Sequence, residues 1–241
     1  MKTVLITGTT QGIGKEIYTK LNNGKFRIIT VNRKKVLDES SMNIICDLSE
    51  IKEICSLCDK LKNEKIDILI KNAGGSCPIQ IEKMSVNELM YVTNLNYYAP
   101  VLIMQSVIGN MIAQNYGRIL NISSIASKSP RPYISHYAAA KAALESFSKS
   151  MAVAYSGFGV TVNCICPGGV DTKTSVDYRR LMAQIADKPV EYFNDQMKCG
   201  NGLNRLVRVE EVAAMVEYFI SDEASAISGQ TVNICGIKEV H

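Results

Sequence analysis

Tyr137 and Lys141 stand four residues apart in the stretch YAAAK, with only alanines between them. On a helix, positions i and i+4 lie one above the other, so the phenol and the ammonium are neighbours. Alanine is a strong helix former and leaves the space beside Tyr137 open. A phenol beside a fixed cation can pass a proton to or from an oxygen, although the same pentapeptide also suits an ordinary packing helix. A second constellation is TGTTQGIG, Thr7 to Gly14, whose glycines Gly8, Gly12 and Gly14 fall between an apolar run and a helix-like stretch. Glycines there let the backbone approach a phosphate, and a helix N-terminus favours its negative charge. The spacing is G-x-x-x-G-x-G and differs from the usual dinucleotide G-x-G-x-x-G, so its place between strand and helix carries the argument.

The elements that position these groups can be read along the chain. KTVLIT, FRIITVN, MNIICD, KIDILIKNAGG, GRILNISS, GVTVNCICPGG and QTVNIC are short apolar runs bounded by glycine, proline or polar residues. Between them lie helical patterns. GIGKEIYTKLNNG closes at Gly24, and Ile51, Ile54, Cys55, Cys58 and Leu61 repeat at helical spacing. Residues 85–115 read as two helices with Pro100 opening the second, 136–156 as a long helix carrying Tyr137 and Lys141, and VEEVAAMVEYFIS as the last. Residues 173–206 read as less regular, with a break at Pro189 and the cluster Cys199-Gly-Asn-Gly. Strands that are continuous apolar runs alternating with helices predict a parallel sheet covered on both faces. No linker, repeat or low-complexity segment divides the chain, so the expectation is one doubly wound α/β domain over 1–241.

Composition narrows the class. The 241 residues are 46% hydrophobic and 21% charged, which is globular and far from disordered. A formal charge of +4, spread among acids, does not describe a nucleic-acid or membrane-surface patch. MKTVLITG does not read as a signal peptide, and the longest apolar stretch, VLIMQSVIGNMIAQ, is too short to span a bilayer; the expected location is the cytoplasm. Eight cysteines lack zinc-site spacing: Cys55 and Cys58 fall on the apolar face of a helical pattern and Cys164 and Cys166 along a strand. They read as reduced, buried thiols, and no metal is expected.

Taken together, these motifs resemble the short-chain dehydrogenase/reductase family. The resemblance runs through Thr7-Gly8-x-x-x-Gly12-Ile13-Gly14, Asp47, Asn72-Ala73-Gly74, Asn94 in TNL, Ser124, Tyr137-x-x-x-Lys141 and Asn163-x-x-x-Pro167-Gly168, in the family's order over nearly the whole chain. It implies a single-domain Rossmann-type fold with a seven-stranded parallel sheet and a substrate lid near 173–206. It also implies a cofactor site made by Gly8, Thr10, Gln11, Gly12, Ile13, Gly14, Asn32, Arg33, Asp47, Leu48, Asn72, Ala73, Gly74, Tyr137, Lys141, Pro167, Gly168, Val170 and Thr172. Asp47 would contact adenine and Lys141 the nicotinamide ribose, while Thr172 either contacts the carboxamide or caps the next helix. The implied catalytic set is Asn94, Ser124, Tyr137 and Lys141. Lys71 departs from the family's usual Asn before NAG, and NICGI replaces the usual Asp-Gly-Gly near the C-terminus; the first is expected to alter packing beneath the nicotinamide.

The implied chemistry is hydride transfer between a nicotinamide and a carbonyl/alcohol pair, with Tyr137 giving or taking the proton. Ser124 would share the oxyanion, adjacent Ser123 being the competing choice, and Asn94 would hold a water linking Lys141 to solvent. Bringing a phenol from about 10 to about 7 takes roughly 4 kcal/mol, of which a lysine about 5 Å away supplies roughly 3 at an effective dielectric of about 20, the positive charge of the oxidised nicotinamide supplying much of the rest. His136, beside Tyr137 on the helix, points elsewhere. A non-catalytic nucleotide sensor on the same fold has no need of the quartet, which favours the enzyme. Strand FRIITVN ends with Asn32 where NAD users carry an acid, and Arg33, Lys34 and Lys35 follow; NADP(H) is the expected cofactor, with NAD the alternative and no basic residue at Gln11. Acyl-carrier-protein ketoreductases of fatty-acid synthesis place arginines where this chain has Asn115 and Phe158, so a free small-molecule ketone is expected over a carrier-bound one, with Arg118 structural. The helices at 99–115 and 136–156 imply a homotetramer.

Overall fold

Seven parallel strands form one sheet in the computed structural model, which describes residues 1–35, 41–129, 131–198 and 202–238. The strands are β1 Lys2–Thr7, β2 Phe26–Asn32, β3 Met42–Ile45, β4 Ile68–Lys71, β5 Gly117–Ile122, β6 Val160–Pro167 and β7 Thr231–Ile234. Their order is β3-β2-β1-β4-β5-β6-β7, so the winding reverses between β1 and β4. A reversal of this kind opens a crevice at the carboxyl ends of the strands.

β4, β5 and β6 are buried along their whole length, which is why they read as unbroken apolar runs. Helices α1 Gly12–Leu21 and α8 Val209–Phe219 cover one face; α2 Ile51–Leu61, α4 Ala99–Ala113 and α5 Ser135–Tyr155 cover the other. Each side has its own core, one around Val4, Ile6, Ile17 and Val216, the other around Leu5, Ile54, Ile103 and Leu144.

Four sequence expectations change. The third strand ends at Ile45, before Cys46 and Asp47. The buried face of α2 is Ile54, Leu57 and Leu61, while Ile51 and Cys55 are exposed and Cys58 only partly covered. Period counting allowed Cys55 because thiols score as apolar, but the sheet contact is narrower than the apolar arc. Of the described cysteines, Cys46, Cys164, Cys166 and Cys235 are buried, whereas Cys55 and Cys77 are exposed. The stretch expected to be irregular instead contains α6 Lys173–Ala186 and α7 Val190–Lys198, divided at left-handed Asp187 just before Pro189. Cys199 to Asn201 lie outside the described residues.

The helix pair at 85–115 has a more specific shape. Ser85 caps α3 Val86–Thr93 through a reciprocal bond with Glu88, and α3 runs straight into a π-helical segment, Asn94–Tyr98, before α4 begins. Wide turns of this type inside helices are frequent at functional sites. Asn94 sits at the first of those positions. No helix among the described residues is long and apolar enough to cross a membrane.

Candidate active site

The glycine turn is built by close approach. Gly8 has φ +75 and packs against Ala73, where a Cβ would come within 2.9 Å of the Ala73 backbone. A Cβ on Gly14 would meet the Gly8 carbonyl oxygen at 1.9 Å, so the turn and α1 touch with no side chain between them. Asn72 locks the arrangement by donating from Nδ2 to the Gly8 carbonyl at 2.8 Å, while Thr7 Oγ1 accepts from the backbone of Asn72 and Ala73. Gln11 makes no side-chain cap to α1, so the first-turn N–H groups at Gly12, Ile13 and Gly14 are left for a ligand in the cleft they line. That is the chemistry of a phosphate cradle.

From this cradle one continuous cleft runs past Asn32 and Arg33, Asp47 and Leu48, and Asn72 to Gly74, then to Ser124, Tyr137 and Lys141. Pro167, Gly168, Val170 and Thr172 line its other wall. Of the expected cofactor residues, Thr10 alone is outside the lining, exposed in the same turn. Thr172 lines the cleft and also caps α6, its hydroxyl accepting from Ser175 N, so the two readings of this residue describe one position. Asp47 Oδ1 accepts from the Ser49 backbone and hydroxyl, which fixes the turn into α2.

Asn32 is buried and turned inward: its Oδ1 accepts from Thr9 N at 2.7 Å, and its Nδ2 donates to Thr9 Oγ1 and Asn43 Oδ1. Arg33 stands exposed at the cleft edge, with no ion pair to any described residue. Among the described residues at the end of β2, the rim that would meet the adenosine ribose therefore carries a positive charge and no carboxylate.

At the other end, α5 brings Tyr137 and Lys141 onto one face. Lys141 is buried; its Nζ donates to the Ile122 carbonyl at 2.8 Å and lies 5.6 Å from the centre of the Tyr137 ring. Burial lowers the Lys141 pKa to about 8. Burial also pushes the Tyr137 phenol up to about 12, against the pull of a hydrogen bond with Ser124. The protein's own groups therefore do not draw the phenol towards neutrality, and that part of the expectation falls to the positive charge of an oxidised nicotinamide. The phenolate loses more hydration than the neighbouring groups return, and Lys141, titrating near 8, is already neutral when a phenol of about 12 ionises. The protein by itself holds Tyr137 as a proton donor.

Both Ser123 and Ser124 line the cleft, but the Ser123 hydroxyl is engaged by Glu145, to which it donates, so Ser124 is the one that pulls on the phenol. Asn94 is buried but does not line this cleft; its Nδ2 donates to the Ser49 carbonyl, and it borders a second cavity shared with Glu88, Tyr91 and His136. His136 points into that cavity as expected, its Nε2 3.0 Å from Ser76 Oγ. Lys71 is wholly enclosed behind the site, donating from Nζ to the Pro100 carbonyl at 3.1 Å, and burial holds its ammonium well below the ordinary lysine range.

Two contributors escaped the sequence reading. Asn96, fully buried in the π segment, clamps the Gly75 backbone through both ends of its amide. The substrate end is walled by Tyr91, Leu95, Ile134, Tyr178 and Met197, drawn from five separate elements. Only Asn96 carried a local signal, a polar residue within an otherwise apolar helical stretch.

Comparison with known proteins agrees with this architecture. The family model described as short chain dehydrogenase matches residues 2–182. The chain is 32% identical to the 3-oxoacyl-acyl-carrier-protein reductase FabG of Buchnera aphidicola subsp. Schizaphis graminum, over 98% of this chain and 96% of the relative. It is likewise 32% identical to the FabG of Rickettsia conorii, over 98% and 95%. Among solved structures, a variant actinorhodin polyketide ketoreductase with NADPH superposes with a TM-score of 0.88 at 26% identity, covering 99% of this chain and 98% of that one.

Proposed function

The chain belongs to the short-chain dehydrogenase family, and from that premise we infer that it is an NADP(H)-dependent oxidoreductase interconverting a ketone and a secondary alcohol. One observation carries the assignment of roles: Ser124, Tyr137 and Lys141 line the end of a cleft that begins in a phosphate cradle, with the Lys141 nitrogen 5.6 Å from the centre of the Tyr137 ring.

The cofactor, when bound, supplies the hydride. The glycine turn and α1 would hold its phosphates, Asp47 and Leu48 the adenine, Arg33 a ribose 2′-phosphate, and Lys141 the nicotinamide ribose. At the reacting carbon, Ser124 and Tyr137 present two hydroxyl donors to one substrate oxygen, where negative charge develops during reduction. A phenol held at about 12 stays protonated in the ground state and gives up its proton only as that charge appears. Lys141 stabilises the phenolate left behind. In the oxidative direction the same groups act in reverse.

The substrate end favours a free small-molecule ketone. Its wall is apolar and aromatic, and Asn115 (at left-handed φ 53) and exposed Phe158 offer no cation to an acidic carrier. Arg118 is not available for that role: it is buried, donates to the Gly117, Gly159 and Ser221 carbonyls, and lies over the Tyr116 ring. The 32% identity to named 3-oxoacyl-carrier-protein reductases supports the competing reading. The deciding experiment compares kcat/KM on acetoacetyl-carrier protein with that on small ketones. A carrier substrate favoured by about a hundredfold, or about 2.7 kcal/mol of transition-state binding, would establish the carrier reading.

A homotetramer is proposed on the outer face of α5, where Ala139, Ala142, Ser146, Ser150 and Val153 form an exposed, flat stripe suited to a second helix. Light scattering at micromolar concentration tests it, and a stable monomer would end it. The free thiols support a reducing, cytoplasmic setting.

A further inference from the structure

Helix α5 carries a third group in register with Tyr137 and Lys141. Glu145 lies one turn beyond Lys141 and is 7% exposed, a burial carboxylates rarely reach without several partners. Three partners converge on its Oε1: the Ser123 hydroxyl donates at 2.5 Å, the Ser127 hydroxyl approaches to 2.5 Å, and the Cys166 thiol donates at 3.1 Å. These donors surround the backbone that carries Ser124.

Ser123 leaves β5 with its N–H bonded to the Ile165 carbonyl, so its backbone is tied to β6 and its side chain to α5. Ser127 closes the short 3₁₀ turn that follows; its hydroxyl is also 2.6 Å from the Ser124 carbonyl. Between them, Ser124 keeps extended backbone angles and its Oγ accepts from Ala126 N at 3.1 Å. Residues on both sides of Ser124 are thus fixed to one oxygen on the helix that carries Tyr137.

We propose that Glu145 is a positioning residue that clamps the Ser124 segment to helix α5 and so sets where the Ser124 hydroxyl stands relative to the Tyr137 phenol in the cleft they both line. A helix is stiff over two turns, so the Glu145 anchor transmits its position to Tyr137 with little slack. Without the clamp, Ser123 and Ser127 lose their shared acceptor and the turn can move relative to the phenol. Misplacement of a reacting group by about 1 Å can cost about a hundredfold in rate. The inference rests on the ketone-reducing reading of the site for its kinetic arm, but the clamp itself is a structural claim that needs no turnover.

The test uses the full chain with Glu145→Ala and Glu145→Gln. Glu145→Ala is expected to lower kcat for NADPH-driven ketone reduction by roughly ten- to a hundredfold, with the Kd for NADPH changed less than about twofold. Glu145→Gln keeps an amide oxygen for the serine hydroxyls and is expected to recover most of the loss. Amide hydrogen exchange over residues 123–129 should quicken in the alanine variant and remain near wild type in the glutamine variant, in either case with β1 and β4 unaffected. If Glu145→Ala does not fold, Ser127→Ala removes one tie without a buried cavity of that size and should give a smaller loss, again in kcat alone. Unchanged exchange at 123–129, or a loss that falls on NADPH affinity instead of kcat, would overturn the clamp. A wild-type protein that reduces no ketone would refute the functional reading while the exchange result still decides the clamp.

Discussion

Replacing Lys141 with methionine isolates the charge that assists Tyr137. The ammonium nitrogen is 5.6 Å from the centre of the Tyr137 ring. At an effective dielectric of about 20, a unit charge at that distance is worth about 3 kcal/mol to the phenolate. The loss corresponds to roughly a hundredfold in rate. Lys141 titrates at about 8 and Tyr137 at about 12, so only the lysine changes charge in the accessible range. The sign follows directly. Below about pH 8 the lysine is charged and stabilises the phenolate formed as Tyr137 gives its proton; above that pH the support is lost. Wild-type kcat for ketone reduction should therefore fall as pH rises through about 8, while Lys141→Met should be slower by about two orders of magnitude at neutral pH and show no such limb. The assay follows consumption of reduced nicotinamide at saturating NADPH and ketone, from about pH 6 to about pH 10, so that weakened cofactor binding does not enter. A variant within about fivefold of wild type at pH 7, or one that keeps the limb, would refute the electrostatic role of Lys141.

Three further outcomes are expected. Arg33→Ala should raise the KM for NADPH by roughly ten- to a hundredfold and that for NADH hardly at all, since a charge-assisted bond to a phosphate is worth about 1.5–3 kcal/mol; equal effects on the two cofactors would count against the 2′-phosphate role. Tyr137→Phe should abolish measurable turnover while the Kd for NADPH, read by fluorescence titration, stays within about twofold. Lys71→Met should stabilise the fold by about 1–3 kcal/mol, because an enclosed ammonium with one hydrogen bond is replaced by an apolar chain of similar length. A lysine whose folded pKa is depressed binds fewer protons folded than unfolded, so wild-type stability should climb with pH from the depressed value up to about 10.5. Thermal unfolding across that range should show a flatter profile for the methionine variant, and a lower Tm at neutral pH would contradict the account.

Much of the protein was legible in its amino-acid sequence, and for a physical reason. A parallel sheet covered on both faces needs uninterrupted apolar strands, so β4, β5 and β6 announce themselves. A phosphate cradle needs glycine where backbone touches backbone, as at Gly8 and Gly14, and a helix with period 3.6 puts Tyr137 and Lys141 on one face. These are local requirements, and local spacing records them. What the tertiary structure decided are quantities that depend on what surrounds a group. The same phenol that spacing placed beside a cation is driven to about 12 by burial, which no pentapeptide reveals. Ser124 was separated from Ser123 by the partner that Ser123 finds after β5, a buried carboxylate at Glu145 that engages its hydroxyl. Asn32 was recognised as the missing acid, but its inward bonds to Thr9 and Asn43 came from a loop and a neighbouring strand. Glu145 reads as one more charge on a helix until β5, β6 and the turn after Ser124 close around it, because desolvation and hydrogen-bond satisfaction are set by neighbours distant in the chain.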